Sequence, residues 1–489
     1  MLFNSFEFLI FFPIVALLYF ILPHKYRWVL LLAASYYFYM AWKPGYILLI
    51  IFSTVVDYFA SIWMAKQTDK RKRKVFLLIS LFTNLGLLFI FKYFNFFNGA
   101  FFALFSQLNI PYNVPQFNLL LPMGISFYTF QTLSYTIDVY RGKREPETHF
   151  GIFALYVSFF PQLVAGPIER SDRLLPQFYQ KHTFDFENMS DGLKRMAWGF
   201  FKKIVIADRL ATLVDTVYAN PGQFNGISFI AVALLFPIQL YCDFSGYSDI
   251  AIGSAKVMGF NLMENFKRPL FSKSVTEFWR RWHISLSSWF KDYLYIPLGG
   301  NRKGTFRTYL NLFITFVVSG LWHGADWGFV LWGALQGLVI GLERATQNIR
   351  ARISEWLKLD RAPFLLKLFQ VSYTTLMFAF GFILFRSRTV TKAHYILKGI
   401  VSITPDMLTV SALKTAMGSM GLGRVEFVFA MISVFVLWVV EMTERKVPLF
   451  SHDSKTPTVL KWALGLALVF SIILFGVFDN AIKFVYFQF

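Results

Sequence analysis

Long apolar runs alternate with short polar clusters along nearly the whole chain. The runs fall at about 6–22, 26–42, 46–65, 75–97, 119–140, 150–165, 227–244, 309–322, 327–342, 364–385, 425–440 and 459–478. A helix needs about 20 apolar residues to cross a bilayer. The pattern therefore predicts about a dozen helical segments, several too short to cross alone. The fold class expected is an all-α polytopic membrane protein forming a single transmembrane domain over residues 1–489. Its parts are N-terminal helices in 1–145, a central core in 146–345 and C-terminal helices in 346–489. No repeat, low-complexity tract or separate soluble domain stands out. "MLFNSFEF" lacks a basic start before the first apolar run, so a retained first helix is expected rather than a cleaved signal.

The polar clusters set an orientation. "KQTDKRKRK" at 66–74 is the densest basic cluster and is expected on the cytoplasmic side. Counting helices from it puts the N-terminus outside and both "HKYR" (24–27) and "RGKR" (141–144) inside. Beyond residue 150 the parity is open, because "FFPQLVAGPIER" (159–170), with two prolines and a glycine, can turn back instead of crossing. Between 185 and 218, "GLKRMAWGFFKKIVIADRLATLVDTVY" spaces apolar and basic residues at helical intervals. An amphipathic helix along the cytoplasmic face is expected there, with a short tilted crossing as the alternative.

Composition sharpens this picture. Of 489 residues, 56% are hydrophobic, 20% aromatic and 16% charged, against about 25% charged in soluble domains. The mean hydropathy is +0.49. A net charge of +20 would suggest nucleic acid for a soluble protein. In a membrane protein, basic loops against anionic lipid account for it, and no nucleic-acid partner is expected. Part of the excess is available to a phosphate-bearing ligand. The single cysteine, Cys242, excludes an intrachain disulfide and a thiolate metal cluster, and is read as a buried, inert thiol.

Phosphate-loop, zinc-protease and nucleophile-elbow motifs are absent. His24, His149, His182, His394 and His452 sit in or beside polar loops and read as solvated. Two histidines differ. His323 lies in "FITFVVSGLWHGADWGFVLWGALQG", where Gly320, Gly324 and Asp326 suggest a helix that breaks at membrane depth. Such breaks are tolerated where they are buried or line a wet cavity, and an ionisable group there points to function. A structural histidine capping a helix end is the plainer reading. His283 lies in "FWRRWHISLSSWFKDYLYIPLGGNRKG". Taken as one helix over 275–293, this segment puts Trp279, Trp282, Leu286, Trp289 and Tyr293 on one stripe. Arg280, Ser287 and Lys291 form the next row, with His283 at the edge. An imidazole between an aromatic wall and a cationic row suits a phosphate-bearing donor; an interfacial helix with an aromatic belt needs no ligand. The two histidines are forty residues apart without nearby Cys or paired carboxylates, so no metal site is expected. "YCDFSGYSDIAIG" (241–253) reads as a re-entrant or cavity-lining segment whose Asp243 and Asp249 can equally pair with the many cations.

"WRRWHISLSSWFKDYLYIPLGG" followed by "SGLWHGADWGFVLWGALQG" resembles the membrane-bound O-acyltransferase family. The resemblance is to its bacterial branch, which acetylates alginate and peptidoglycan. "LPMGISFYTFQTLSYTIDVYRG", "FFPQLVAGPIER", "QLYCDFSGYSDIAIG", the opening segment and the closing "FVYFQF" are similar to that branch as well, so the likeness runs nearly end to end. It implies a ring of about eleven helices around a thinned centre with a catalytic tunnel. It also implies transfer of an acyl group from a cytoplasmic thioester to a hydroxyl, commonly across the membrane. The family's active histidine matches His323 in "LWHG", and its second signature position matches His283. On this basis His323 and His283 are the expected catalytic residues, and Trp279, Arg280, Trp282, Ser287, Lys291 and Trp322 the expected substrate contacts, with Arg281 a further source of charge for the donor's phosphates. No bound cofactor is implied. The donor is acetyl-coenzyme A or an acyl carrier thioester. The other partners are membrane lipid, an exported polysaccharide acceptor and a periplasmic or extracellular acetyltransferase protein. The implied location is the bacterial inner membrane.

Two other classes stay open on the residues alone. A transporter or flippase for a lipid-linked saccharide would share broken helices and buried polar groups, but should show pseudo-repeats and midplane acids, which are not evident. A non-catalytic scaffold would need only the basic surface. The closing "DNAIKFVYFQF" is expected either to dock a partner or, more simply, to complete the helix packing.

Overall fold

The computed structural model describes residues 1–443, 457–478 and 484–485, apart from the side chain of Asp360. Every regular element among them is helical. Two compact units are present: residues 1–196 with 248–263, and residues 197–247 with 264–489. Among the described residues, six helices are long and apolar enough to cross a membrane by themselves.

The first unit opens with α1 (Phe6–Ile21), α2 (His24–Met40) and α3 (Ile47–Ala65). Next comes α4 (Lys70–Gln107), a continuous 38-residue helix with a π-turn at Phe89–Tyr93. It outruns the expected 75–97 at both ends. The side chain of Asp69 caps its start by accepting the Arg71 N–H at 2.8 Å. Exposed apolar side chains such as Phe82 stand on these helices, as lipid-facing surfaces require. Inside, some polar groups are satisfied from one helix to the next. Asp57 of α3 accepts hydrogen bonds from Ser80 Oγ (2.6 Å) and Asn84 Nδ2 (2.8 Å) of α4, so the two helices are tied by charge-assisted bonds.

Four expected segments come out differently. The run 119–140 becomes helical only from α5 (Ile125–Tyr140). Gly124 starts it in the left-handed region (φ 74°), and a Cβ there would lie 2.7 Å from Leu163 O; that close approach forces the turn. The run 150–165 splits into α6 (Phe150–Ser158), a break at Phe159 and one turn at Phe160–Leu163. Nine residues rise only about 14 Å, and all of α6 beyond its first residue is buried. This segment therefore folds into protein and does not cross.

The helix expected over 185–218 exists as α7 (Phe186–Phe200), a π-segment at Phe201–Ala207 and α8 (Asp208–Ala219). Its basic face does not lie open along a membrane surface, however. Residues 201–207 are buried on every side, Lys202 and Lys203 included. Within the second unit, Lys203 Nζ meets Asp208 Oδ1 at 2.7 Å and Asp243 Oδ1 at 2.6 Å. Burial opposes its charge, yet the two carboxylates hold the ammonium above its ordinary pKa. This compensation is what allows the lysine inside. "YCDFSGYSDIAIG" is not re-entrant: it continues the unbroken 32-residue α9 (Gly226–Val257). Its acids do pair with cations, Asp243 with Lys203 and Asp249 with Arg195 (2.9 Å).

The first unit also holds a short helix at Ser171–Tyr179, and the helices after residue 264 lie in the second. Val275–Arg281 is α10 and Ile284–Phe290 is α11, followed by a π-turn at Lys291–Tyr295. The hairpin α12 (Thr305–His323) and α13 (Trp327–Ala345) comes next. The amphipathic α14 (Gln347–Trp356) leads into α15 (Pro363–Ser387). The last helices are α16 (Val390–Val401), α17 (Val410–Gly418), α18 (Arg424–Thr443) and α19 (Thr458–Phe475). Most of the tail from 479, and His452, lie outside the described residues.

Candidate active site

His283 does not sit within one helix over 275–293. Helix α10 ends at Arg281 and α11 begins at Ile284, and between them His283 takes a left-handed conformation (φ 44°, ψ 53°). A β-substituted residue holds φ > 0 only where its surroundings over-determine it. Here Asn265 does so. Its carbonyl accepts the Ile284 N–H at 2.9 Å. Its side-chain Oδ1 accepts from Ser285 Oγ (2.9 Å), Ser285 N–H (3.3 Å) and His283 Nδ1 (3.1 Å). An oxygen receiving a backbone N–H is an acceptor, so His283 carries its proton on Nδ1 and its lone pair on Nε2. The ring is fully buried, edge-on to Phe244 with centroids 4.6 Å apart. Burial pushes its pKa down to about 3, so the imidazole is neutral at physiological pH.

His323 is the last residue of α12 and is 3% exposed. The helix stops because Gly324 turns to an extended conformation. A Cβ on Gly324 would strike the Phe329 ring at 2.1 Å, so the hairpin closes only over glycine. Farther along, Cβ atoms on Gly320 and Gly333 would each lie 2.3 Å from a carbonyl of the facing helix. Backbone contact between α12 and α13 therefore holds the His323 end rigidly. Trp332 (5.2 Å) and Phe385 (5.5 Å) meet the imidazole edge-to-face.

Trp322 connects the two histidines. Its ring centroid lies 5.0 Å from that of His323 and 6.1 Å from that of His283. The expected helix break at "SGLWHG" is present, and the two motifs meet through Trp322.

A cavity of about 290 Å³ opens between α10, α11 and α12, and neither histidine is among its lining residues. Trp279, Arg280, Ser287 and Lys291 line one wall, and Leu312, Thr315, Phe316 and Ser319 of α12 line the other. The row Arg280, Ser287 and Lys291 expected from helical spacing is thus assembled, despite the break at His283. Ser319 and His323 are four residues apart and share one face of α12, so the imidazole stands one turn beyond the last α12 residue of the lining. Trp282 and Trp322 are absent from the lining. Trp282 packs instead against Phe278, Phe266 and Tyr241 in the core. Arg281 turns to the opposite face of α10 and pairs with Glu277.

Sequence reading missed Asn265, Phe244, Trp332 and Phe385. Trp332 and its aromatic neighbours belong to the same apolar periodicity as ordinary core. Asn265, eighteen residues before His283, carries no local signal. The chain's end also reaches this region: Phe484 packs on Phe244 (5.2 Å) and Val485 N–H donates to Asp243 Oδ2 at 2.8 Å.

The model of the membrane-bound O-acyltransferase family matches residues 148–385. A probable alginate O-acetylase AlgI of Pseudomonas putida is 42% identical over 391 residues, covering 79% of this chain and 77% of the relative. Its counterpart in Pseudomonas aeruginosa is 42% identical over 398 residues, covering 80% and 73%. The peptidoglycan O-acetyltransferase of Helicobacter pylori is 34% identical over 399 residues, covering 76% and 73%. The chain belongs to the membrane-bound O-acyltransferase family. It is a multi-pass membrane enzyme of the acyltransferase class.

Proposed function

We propose that this enzyme moves an acetyl group from a cytoplasmic thioester, acetyl-coenzyme A or an acylated carrier, to a hydroxyl of an exported polysaccharide or across the membrane toward it, with a partner protein outside the membrane finishing the transfer. The observation that carries the reading is the row Arg280, Ser287 and Lys291 lining one cavity, whose last α12 residue, Ser319, stands one turn before His323 on the same helix face. The relatives' names, alginate O-acetylase and peptidoglycan O-acetyltransferase, support a glycan acceptor.

In this reading, Arg280 and Lys291 meet the donor's phosphates at the mouth, and the acyl arm runs along α12. His323 takes the proton of the attacking hydroxyl as the oxygen adds to the thioester carbonyl. Collapse of the adduct breaks the C–S bond. The proton held by the imidazole passes to the departing thiolate, leaving ester and thiol. General-base help of this kind contributes roughly 10²–10⁴-fold. His283, neutral with its lone pair on Nε2, is a hydrogen-bond acceptor that positions a donor group and cannot act as a cation for phosphate. A direct acyl transfer is favoured over an acyl-histidine, because acyl-imidazole hydrolyses readily.

The test measures loss of acetyl-coenzyme A thioester and release of free thiol by purified protein, with the extracytoplasmic partner and a glycan acceptor present. Wild type should consume the thioester, and His323→Ala should not. Equal consumption by both removes His323 from the chemistry. No consumption by wild type, with either a coenzyme A or a carrier-bound donor, turns the reading toward saccharide transport.

A further inference from the structure

Helix α10 separates two cavities. Thr276, Trp279 and Arg280 face the one that Ser287 and Lys291 also line, whereas Lys273, Glu277 and Arg281 line a second, of about 310 Å³, on the other side. Arg268 and Lys367 complete its charge, with Glu441 the second acid. Four cations thus face two carboxylates.

Both carboxylates are engaged by the protein. Glu277 pairs with Arg281 through one oxygen, and its other oxygen accepts the Lys273 N–H at 2.7 Å. Glu441 accepts the Tyr241 hydroxyl. Lys273 and Lys367 have no carboxylate partner among the described residues, so an excess of two positive charges faces the cavity. The backbone around it is fixed. Arg268 is held left-handed (φ 50°), its Nη1 donates to Glu441 O at 3.4 Å, and Lys267 N–H donates to Arg281 O at 2.9 Å.

The cavity also lies at the ends of two candidate membrane spans. Lys367 stands four residues into α15, about 6 Å along its axis, and Glu441 and Met442 close α18. Apolar Phe271 and Met442 share the lining. The level of the bilayer surface is marked by α14, which a six-residue turn joins to α15. On α14, Ile349, Ile353 and Trp356 are exposed at intervals of four and three, with Trp356 at 81%, and Arg350 and Arg352 lie between them. That is the pattern of a helix lying in an anionic interface.

We propose that this second cavity binds the phosphate of an anionic membrane phospholipid, with the headgroup between Lys273, Lys367 and Arg268 and an acyl chain leaving past Phe271 and Met442. A pocket of paired-off acids and surplus cations at the end of spanning helices has the chemistry of lipid-headgroup capture. The site is separate from the proposed donor cavity and does not depend on that assignment.

The experiment is native mass spectrometry of the purified full-length protein in detergent, titrated with phosphatidylglycerol or phosphatidylcholine. Phosphatidylglycerol should bind at least about tenfold tighter. K273Q/K367Q should remove that preference, K273R/K367R should keep it, and R280Q/K291Q, on the other cavity, should leave it unchanged. Equal binding of the two lipids overturns the proposal, as does a preference that survives K273Q/K367Q. Displacement of phosphatidylglycerol by inorganic phosphate or coenzyme A at equimolar concentration also overturns it, because a soluble phosphate would then be the occupant.

Discussion

Asn265 Oδ1 receives the Nδ1–H of His283 at 3.1 Å and thereby decides which nitrogen of a buried, neutral imidazole is left as an acceptor. The same oxygen pins Ser285, the second residue after His283, so the amide holds both the ring and the backbone turn that presents it.

Replacing Asn265 with Ala should leave the Nδ1 proton without its acceptor and release the left-handed turn. Acyl transfer is expected to fall roughly 10- to 100-fold, the usual cost of losing an orienting partner. Asn265→Asp should instead place a negative charge beside the ring and raise the His283 pKa from about 3. Histidine NMR of the labelled protein checks the direction. The wild-type group also contributes to stability versus pH. Its folded value lies below the unfolded 6.5, so the unfolded state binds the extra proton between about 3 and 6.5. Stability tied to His283 is therefore whole above pH 6.5 and declines as pH falls below it. His283→Gln should flatten that decline in thermal melts.

Arg280, on α10, and Lys291, just after α11, both line the proposed donor cavity. Removing both charges should weaken binding of a phosphate-bearing thioester by about 1–2 kcal/mol, because both are exposed and screened. The expected signature is a KM for acetyl-coenzyme A raised about tenfold at unchanged kcat. A fall in kcat alone would assign the pair a different role.

Gly320 marks where α12 and α13 touch, since a Cβ there would lie 2.3 Å from Phe329 O. Gly320→Ala should push the hairpin apart at the His323 end, costing about 1–3 kcal/mol and most of the activity. Gly86→Ala, in α4 with nothing within 4 Å of the added methyl, is the control and should melt no lower than wild type.

Lys203 neutralises two buried carboxylates. Lys203→Met should destabilise the protein by about 3–5 kcal/mol, the cost of leaving buried charge unpaired. Asp208 is the member that burial pushes up, to about 7, with Lys203 opposing. A raised folded pKa means stability fully present below the unfolded value near 3.9 and lost as pH rises through 7. Asp208→Asn should therefore gain on wild type as pH goes from 5 to 8 in denaturation assays, and a constant difference would contradict the assignment.

Hydropathy and spacing by themselves determined the helical class, most of the long apolar helices, the break at "SGLWHG" and the row Arg280, Ser287 and Lys291. Those features depend on burial period and on glycine, and both are local. Tertiary structure alone decided the rest. Lys202 and Lys203 read as a basic face because their compensating partners are distant or untold by period: Asp243 lies forty residues beyond Lys203. The kink at His283 is invisible in a pattern that continues helical spacing on both sides, since it depends on Asn265 gripping the turn from another segment. Trp282 and Trp279 have the same side chain and near-identical neighbours, yet one fills the core and the other lines a cavity. That division follows from the direction in which α10 packs, a contact no single stretch of chain encodes.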